Sequence, residues 1–348
     1  MKLKHIIKAF VYLGAIIEEF LLLSEDEQIV QFPELSNAIR ESRKQNPWFV
    51  NPFVINALKG IRYWLDEETL ANWITDNGVS EDAKTKKIGL IMAGNIPLVG
   101  FHDFLSVLLT GNKAYVKMSS KDTTLLPVLS TFLVKNCPNL TKQIHFVAEL
   151  PKNMDAIIAT GSNNTMRYFS YQYDKIPHIL RGSRSSIAVL TGEESSSQID
   201  MLTQDICLYF GMGCRSVTKI YIPDEKLIPR IQNSLSKFTW MTEHRDWSDS
   251  LRFQKAVLLT RGQSFYDCGP VVMLQESRLI SPMAVIHYEK YNSLEKVKNT
   301  LKALEPMVQC VVGDPNKCED WIPFGKSQYP EVNDFADRVN TLSFINSL

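Results

Sequence analysis

Residues 87–117 constrain the fold more than any other stretch, because they predict a strand, a helix and a second strand in immediate succession. Residues 87–93 form a nearly continuous apolar run, which is typical of a strand buried on both faces. Residues 94–97, Gly-Asn-Ile-Pro, end that strand, and residues 99–109 have the apolar periodicity of a helix. Residues 113–117 predict the next strand. A right-handed crossover makes the strands parallel and puts the Gly-Asn-Ile-Pro loop at their carboxyl ends, where open α/β sheets bind ligands.

The same alternation continues along the chain and predicts the fold class. Strand-like and helix-like stretches follow one another, as in an α/β protein with a doubly wound, Rossmann-type parallel sheet and a second, smaller α/β domain. We expect a helical lead-in over residues 1–85, packed on a first α/β domain over residues 86–206. The second domain is expected over residues 207–320, and residues 321–348 are expected to be a tail that docks back on the body.

Residues 1–23 are basic and then apolar, but they do not predict a membrane span. Glu18 and Glu19 interrupt the apolar run, and no small-residue cleavage site follows it. Apolar residues recur there at helical spacing, which favours an amphipathic helix docked on the first domain. Contact of this helix with a membrane surface or a partner stays open. No other segment is long and apolar enough to predict a transmembrane helix.

Charge and cysteine usage exclude several classes of function. Lys and Arg number 38, as do Asp and Glu, so no excess of positive charge predicts binding to nucleic acid. The six cysteines form no C-x-x-C pair and no zinc-ligand spacing with histidine, so we predict no metal site. Scattered thiols are typical of a reducing compartment and predict a cytoplasmic protein.

Cys214 is the candidate nucleophile. It lies in Gly-Met-Gly-Cys-Arg-Ser, residues 211–216, between a helix-like stretch at 199–210 and a strand-like one at Val217–Ile222. Two glycines allow a sharp turn and a close approach of the backbone to a bound group. A thiol in such a turn can be exposed, with its thiolate near backbone N–H groups. The alternative interpretation, a buried thiol that acts as a small hydrophobic residue, stays open on these residues alone.

Three loops at predicted strand ends carry small or polar groups that suit a ligand. Asn95 can donate to a developing oxyanion or simply occupy a turn. Lys117, followed by Ser119 and Ser120, can bind ribose hydroxyls or phosphate, or can be a solvated charge. Thr160-Gly161-Ser162 can bring backbone N–H groups to an anion, or can be an ordinary strand-to-helix turn. No G-x-G-x-x-G follows a predicted strand, and neither a Walker A sequence nor a G-x-S-x-G elbow occurs.

These loops, taken in order, resemble motifs of the aldehyde dehydrogenase superfamily. Residues 93–97 look like its Asn loop, residues 117–120 like its Lys-Pro-Ser-Glu loop, and residues 160–162 match its Thr-Gly-Ser turn. Residues 180–185 look like a degenerate Glu-Leu-Gly-Gly-Lys-Ser, and residues 211–214 match the loop of the nucleophilic cysteine. Within the superfamily the chain looks most like the LuxC-type acyl-CoA reductases. That branch is indicated by the Asn-Pro-Trp-Phe-Val lead-in that begins at Asn46 and by the tail around Phe335.

The resemblance implies roles for individual residues. Cys214 and Asn95 are expected to be catalytic, with the Cys214 backbone N–H and the Asn95 side chain binding the oxyanion. The first α/β domain then binds the cofactor and the second carries the cysteine. The implied cofactor-binding residues are Lys117, Ser119, Ser120, Thr160, Gly161, Ser162 and Gly182.

Departures from the family pattern refine the expected chemistry. Leu180 stands where hydrolytic members have a glutamate base, which disfavours attack by water and favours exchange between thiols. Ser120 replaces a glutamate of NAD-preferring members and leaves room for a 2′-phosphate, so NADPH is favoured while NADH stays possible. The family's Glu-x-Phe-Gly-Pro ribose motif has no clean counterpart, although Glu276 lies near the expected position.

The predicted function is the NADPH-dependent reduction of an acyl-CoA or acyl-protein thioester to an aldehyde, through an acyl group bound covalently to Cys214. Two alternatives stay open: a cysteine-dependent acyltransferase or thioesterase without nicotinamide, and a non-catalytic subunit that holds acyl groups. A second copy of the chain and an acyl-transferring protein both stay open as partners.

Overall fold

A computed structural model describes residues 3–80 and 84–348 and shows two compact units. One unit contains the chain up to Ser183 together with Glu331–Leu348, and the other is Arg184–Pro330. Helices and strands alternate in both, so the predicted α/β class is confirmed. The division between the units lies near residue 184, whereas the sequence predicts one near residue 206. No helix among the described residues is long and apolar enough to cross a membrane.

The first unit begins with helices and continues with a βα alternation. Its helices are α1 (Leu3–Leu22), α2 (Glu25–Gln31), α3 (Pro33–Gln45), α4 (Asn51–Trp64), α5 (Glu67–Asp76), α6 (Phe101–Leu109), α7 (Leu125–Asn136), α8 (Asn163–Gln172) and, near the C-terminus, α13 (Thr341–Asn346). Its strands are β1 (Lys87–Ile91), β2 (Lys113–Lys117), β3 (Ile144–Phe146), β4 (Ala156–Thr160) and β5 (His178–Arg181).

Helix α1 is docked on the first unit, as the sequence predicts. One stripe of the helix, including Phe10, Leu13 and Ile17, is fully buried in the main hydrophobic core. Gly14 permits the closest approach, because a Cβ at this position would lie 2.8 Å from the carbonyl oxygen of Leu65 at the end of α4. The apolar face of α1 is therefore used for packing within the chain.

The first sheet is fully parallel, with the strand order β3-β2-β1-β4-β5. Strand β1 is central, with Ile88 and Leu90 in the main core and Ile91 in a smaller cluster with Ile157. Burial of alternate residues in two different clusters explains the continuous apolar run of β1. The sheet changes direction between β1 and β4, so the loop after β1 lies at the topological switch point, where such sheets bind ligands.

The second unit is built around a second sheet. Its helices are α9 (Ser196–Cys207), α10 (Ile228–Leu235), α11 (Arg245–Thr260) and α12 (Leu294–Leu304), and its strands are β6 (Ser185–Val189), β7 (Val217–Ile222), β8 (Tyr266–Asp267), β9 (Val272–Gln275), β10 (Val285–Lys290) and β11 (Val308–Val312). The strand order is β11-β6-β7-β10-β9-β8, with only the short β8 antiparallel to its neighbour.

Strand β6 corrects the predicted organisation. The sequence analysis assigns this segment to the first domain, but β6 pairs with β7 and β11 in the second sheet. Both partners follow β6 in the chain, and an apolar strand pattern does not specify which later strand will pair with it. The segment 240–270, which the sequence leaves unassigned, contains the end of a 3₁₀ helix (Ser236–Glu243), the whole of α11 and the short strand β8.

Candidate functional site

The Asn95 loop and the Lys117–Ser120 loop pack against each other in the first unit. A Cβ on Gly94 would lie 2.5 Å from the Ser119 hydroxyl, so only glycine lets the two loops approach this closely. The Asn46 side chain donates to the carbonyl oxygen of Gly94 at 3.1 Å and is itself buried. Asn95 and Lys117 are both partly exposed at the carboxyl ends of β1 and β2. The two loops therefore form one supported edge at the carboxyl ends of β1 and β2.

Asp122 also joins these two loops, and sequence analysis missed it. Its side chain is 3% exposed and accepts the Leu98 N–H at 3.2 Å, and its own N–H donates to the Ser119 carbonyl at 3.1 Å. Leu98 has a φ of 56°, a left-handed conformation that a side chain such as leucine rarely adopts. Asp122 thus stabilises a strained loop that carries Asn95. Burial raises the pKa of Asp122 to about 6.

The replacement Asp122→Asn is expected to change how stability depends on pH. Because the folded-state pKa lies above the ordinary value, the protonated carboxyl stabilises the fold below about pH 4, and this contribution is lost as the pH rises through 6. Asparagine has no charge to bury, so the variant should gain about 2 kcal/mol relative to the parent protein between pH 4.5 and about pH 8. Urea unfolding at both pH values measures this difference.

Asp205, another buried aspartate with a raised pKa, does not affect this comparison. Burial also raises its pKa to about 6, but Asp205 is present in both proteins, so its contribution cancels in the comparison. A difference between variant and parent that stays the same from pH 4.5 to pH 8 would contradict the prediction.

The Thr160-Gly161-Ser162 turn joins β4 to α8 in the first unit, as predicted. The Ser162 side chain caps the helix by accepting the Thr165 N–H at 3.2 Å, while the first turn of α8 is exposed. Gly161 has no positive φ, and a Cβ there would lie 3.1 Å from the end of the Met166 side chain and in ordinary contact with Thr165. Neither the turn nor the backbone packing requires glycine at 161. A site that accepts an anion at the helix N-terminus would benefit from its small size.

Gly182 has a different role within this unit. A Cβ at 182 would collide with the side-chain oxygen of Asn163, and that oxygen also accepts the Ser183 N–H at 2.8 Å. Glycine at 182 is therefore explained by packing between the end of β5 and the start of α8. Leu180, at the position of the hydrolytic glutamate, lies on β5 and packs in the cluster of Ile157 and Met166.

Cys214 lies in the second unit, after a left-handed turn and before β7. Helix α9 ends at Cys207 rather than at the predicted residue 210, because Tyr209, Phe210 and Gly211 have φ values of 54°, 52° and 65°. A left-handed conformation costs roughly 1–2 kcal/mol for each residue that carries a Cβ. Backbone strain of this kind is concentrated at functional sites, where the surrounding structure maintains it.

An aromatic cluster holds the strained turn in place. The Phe210 ring is 1% exposed, and its centroid lies 4.9 Å from that of His244, 5.5 Å from Trp247 and 5.9 Å from Trp240. Trp247 is fixed in turn, because its indole N–H donates to the Pro270 carbonyl at 2.9 Å. These aromatic contacts offset the strain of the turn that leads to Cys214.

Hydrogen bonds hold the residues on both sides of the thiol. The buried Ser186 hydroxyl donates to the Cys214 carbonyl at 2.9 Å, and the Gln328 amide donates to the Ser216 hydroxyl at 3.2 Å. The Ser327 carbonyl accepts from Arg215 at 3.4 Å. Asp205, which is 1% exposed, accepts the Ser327 N–H at 3.0 Å and its hydroxyl at 2.7 Å. The Cys214 loop is therefore fixed from several sides within its unit.

Cys214 is more exposed than most other cysteines of the chain. All six are thiols rather than disulfides, and only Cys214 and Cys318 are partly exposed. Burial raises the pKa of Cys207, and it raises that of Cys268 to about 12, so both stay protonated at neutral pH. Among the described residues, no three His, Cys, Asp or Glu side chains are grouped to bind a metal ion.

Glu276 follows β9 in the second unit, and its carboxylate is already engaged. It accepts from the Arg278 side chain at 2.8 Å and from the N–H groups of Ser277 and Arg278. The Arg278 hydrogen bond holds the pKa of Glu276 at about 2. This carboxylate is consequently ionised at neutral pH, and the structure adds no clean counterpart of the ribose motif.

Aldehyde dehydrogenases define the class to which this fold belongs. The NAD⁺ complex of an aldehyde dehydrogenase from Bacillus cereus is similar with a TM-score of 0.61, over 90% of this chain and 72% of its own. The two sequences are 13% identical, so the likeness concerns the fold alone. It confirms the aldehyde-dehydrogenase-like fold that the ordered loops predict.

Sequence comparisons narrow this class to one family. The family model described as acyl-CoA reductase (LuxC) matches residues 53–237, so the chain belongs to that family, as the motifs predict. The long-chain acyl-protein thioester reductase of Aliivibrio fischeri is 24% identical over 200 residues, which are 53% of this chain and 40% of that protein. The reductase of the same name from Photorhabdus laumondii is 26% identical over 179 residues, 47% of this chain and 36% of its own length. The chain thus matches less than half the length of these relatives.

Proposed function

We propose that the protein reduces an acyl-CoA or acyl-protein thioester to an aldehyde, with Cys214 as the nucleophile. The observation that carries the proposal is that the family match, residues 53–237, contains every predicted site residue from Asn95 to Cys214. The names of the relatives, which are long-chain acyl-protein thioester reductases, favour a long acyl chain. The left-handed turn before Cys214 and the hydrogen bonds around it support a role that needs a fixed thiol.

The first step is acyl transfer to the chain. The Cys214 thiolate attacks the carbonyl carbon of the substrate, a new C–S bond forms, and the original C–S bond breaks to release CoA or the carrier thiol. The Cys214 N–H donates to the oxygen that becomes negative during attack, and the family resemblance implies the Asn95 amide as a second donor. Because Leu180 provides no base, water is not activated and the acyl group stays on sulfur.

The first unit offers residues that fit a dinucleotide cofactor. Lys117 supplies a cation at the carboxyl end of β2, and Ser162 begins a helix whose exposed first turn suits a phosphate. The small residues Gly161 and Ser119, together with Thr160, leave the backbone accessible to a ribose or a phosphate. A reduced nicotinamide, when bound, supplies the hydride that converts the acyl group to the aldehyde. Cys214 is then released as a thiolate.

Acyl-CoAs of graded chain length, incubated with the protein and NADPH, test the proposal. Absorbance of NADPH and released CoA are measured together, and we expect one NADPH consumed for each CoA released. Release of CoA without consumption of NADPH would indicate an acyltransferase or thioesterase instead. A stable acyl-Cys214 adduct without turnover would indicate a subunit that holds acyl groups.

The exposed Ser120 is expected to set the preference for NADPH. The replacement Ser120→Glu puts a carboxylate where the proposal places the 2′-phosphate, so like charges repel and the hydroxyl of NADH gains an acceptor. We expect the affinity for NADPH to fall about tenfold or more relative to that for NADH. Calorimetric titration with both cofactors measures this ratio. The replacement Ser120→Gln, which has the size of glutamate without its charge, is the control, and an unchanged ratio in Ser120→Glu would contradict the proposal.

A further inference from the structure

Helices α1 to α4 enclose a groove that the reductase chemistry does not use. It has a volume of about 610 Å³, which is in the range of small-molecule sites. One wall is formed by α2 and α3, the other by α4, and the end of α1 contributes Phe20 to the base. We call it the α3–α4 groove. All of its lining residues belong to the first unit.

The base of the α3–α4 groove is apolar. Phe20 and Ile39 are buried, Ile55 is half-buried, and Ile29 at the edge is 54% exposed. The amide of Gln28 is already engaged, because it donates to the carbonyl oxygens of Phe20 and Leu23 at 2.9 and 3.2 Å. The base therefore favours hydrocarbon over a polar group.

The rim of the α3–α4 groove is positively charged. Arg40 and Arg43 come from α3 and Lys59 comes from α4, whereas Glu25 is the only acidic residue in the lining. None of the three cations forms an ion pair with a carboxylate of the described residues. The chain as a whole has no net charge, so this local excess is not a general property of its surface.

Neighbouring cations that lie outside the groove behave differently. Lys44 on α3 pairs with Glu41 at 2.7 Å, and Arg62 on α4 pairs with Glu18 at 2.7 Å. The same two helices thus place cations with a salt-bridged carboxylate outside the groove. On the rim, Arg40 donates to the side-chain oxygen of Asn37 at 2.7 Å and contributes to lowering the pKa of Glu41 without forming a salt bridge to it. The excess of cations makes the rim a favourable place for an added anion.

We propose that the α3–α4 groove binds a single-chain anionic amphiphile of the fatty-acid class. The hydrocarbon chain would lie along Ile29 and Ile55, above the buried Phe20 and Ile39, and the carboxylate would be attracted by the cations of the rim. The volume suits one such molecule rather than a macromolecular surface. The proposal does not depend on the reductase activity, because every residue it uses lies outside the predicted catalytic and cofactor-binding set.

Calorimetric titration with three twelve-carbon probes tests the proposal, with the two ionic probes below their critical micelle concentrations and the alcohol below its solubility limit. Dodecanoate is expected to bind, whereas 1-dodecanol should bind more weakly and dodecyltrimethylammonium more weakly still. Equal binding of all three would overturn the role of the cations. Failure of dodecanoate to bind, with binding of an acidic peptide instead, would overturn the proposed ligand class.

Two variants locate the site. The triple replacement of Arg40, Arg43 and Lys59 by glutamine should weaken dodecanoate binding about tenfold or more. The matched control, Lys44→Gln with Arg62→Gln, removes charge from the same helices outside the groove and should leave affinity within about twofold. Ile55→Trp fills the base while keeping every charge, and it should also weaken binding. Unchanged affinity in both groove variants would overturn the assignment.

Discussion

Replacement of Cys214 by alanine is expected to lower the rate of aldehyde formation at least about 10³-fold, because alanine has no thiol to form the acyl adduct. Serine at this position keeps the size and the hydrogen-bonding capacity of the side chain, but its hydroxyl is a far weaker nucleophile at neutral pH. We therefore expect Cys214→Ser to be as inactive as Cys214→Ala. Mass spectrometry should find a thioester adduct on the parent protein and none on either variant.

Cys318 provides the matched control for this experiment. It is the other partly exposed cysteine, so Cys318→Ser removes an accessible thiol without touching the turn before β7. This variant should retain both the adduct and the activity. NADPH affinity and the melting temperature are expected to be unchanged in the Cys214 variants, since the thiol is partly exposed. Aldehyde formation by Cys214→Ala at the parental rate would refute the assigned nucleophile.

The fold was most predictable where a short stretch of sequence specifies an element by itself. Residues 87–117 predict β1, α6 and β2 almost to the residue, because a strand buried on both faces has a continuous apolar sequence. Strand β7 has the predicted bounds Val217–Ile222. The sheet to which each strand belongs was harder to predict. Strand β6 was assigned to the first sheet, but it belongs to the second, because its partners β7 and β11 come later in the chain.

In the candidate site, too, some parts could be predicted from the sequence and others could not. Turns rich in glycine or serine between elements are local features, so the existence of the loops of Asn95, Lys117 and Cys214 could be predicted from the sequence. Their supporting residues could not, because hydrogen bonds join positions far apart in the chain: Asp122 is 24 residues from Leu98, Ser186 is 28 from Cys214, and Asp205 is 122 from Ser327. Asp205 did leave one signal, since it is an acidic residue within the buried stripe of α9.

The left-handed run at residues 209–211 had no local signal apart from Gly211. Tyrosine and phenylalanine disfavour positive φ, so sequence preference extends the helix to residue 210. The structure overrides that preference through tertiary packing, because burial of the Phe210 ring among three aromatic side chains is available only if the helix ends early. The position of Cys214 thus depends on contacts that no short motif contains.

Breaking the buried ion pair between Arg181 and Asp103 is expected to have the largest effect on stability. Arg181 ends β5 and is 4% exposed, and its guanidinium donates to Asp103 on α6 and, at 2.8 Å, to the Thr341 hydroxyl at the start of α13. Arg181→Met leaves the Asp103 carboxylate buried without a counter-charge, which costs about 3–5 kcal/mol. Urea unfolding monitored by circular dichroism measures this loss.

The double replacement Arg181→Met with Asp103→Leu distinguishes the charge from the packing. A buried pair replaced by apolar residues of similar volume is often neutral or stabilising, so the double variant should recover most of the loss in the single variant. Lys135→Met is the matched control, because Lys135 and Glu34 form a pair in which both side chains are more than half exposed, and it should change stability by less than about 1 kcal/mol. If the double variant were as unstable as Arg181→Met, the loss would come from the contact with Thr341 and from the shape of the arginine rather than from the unpaired charge.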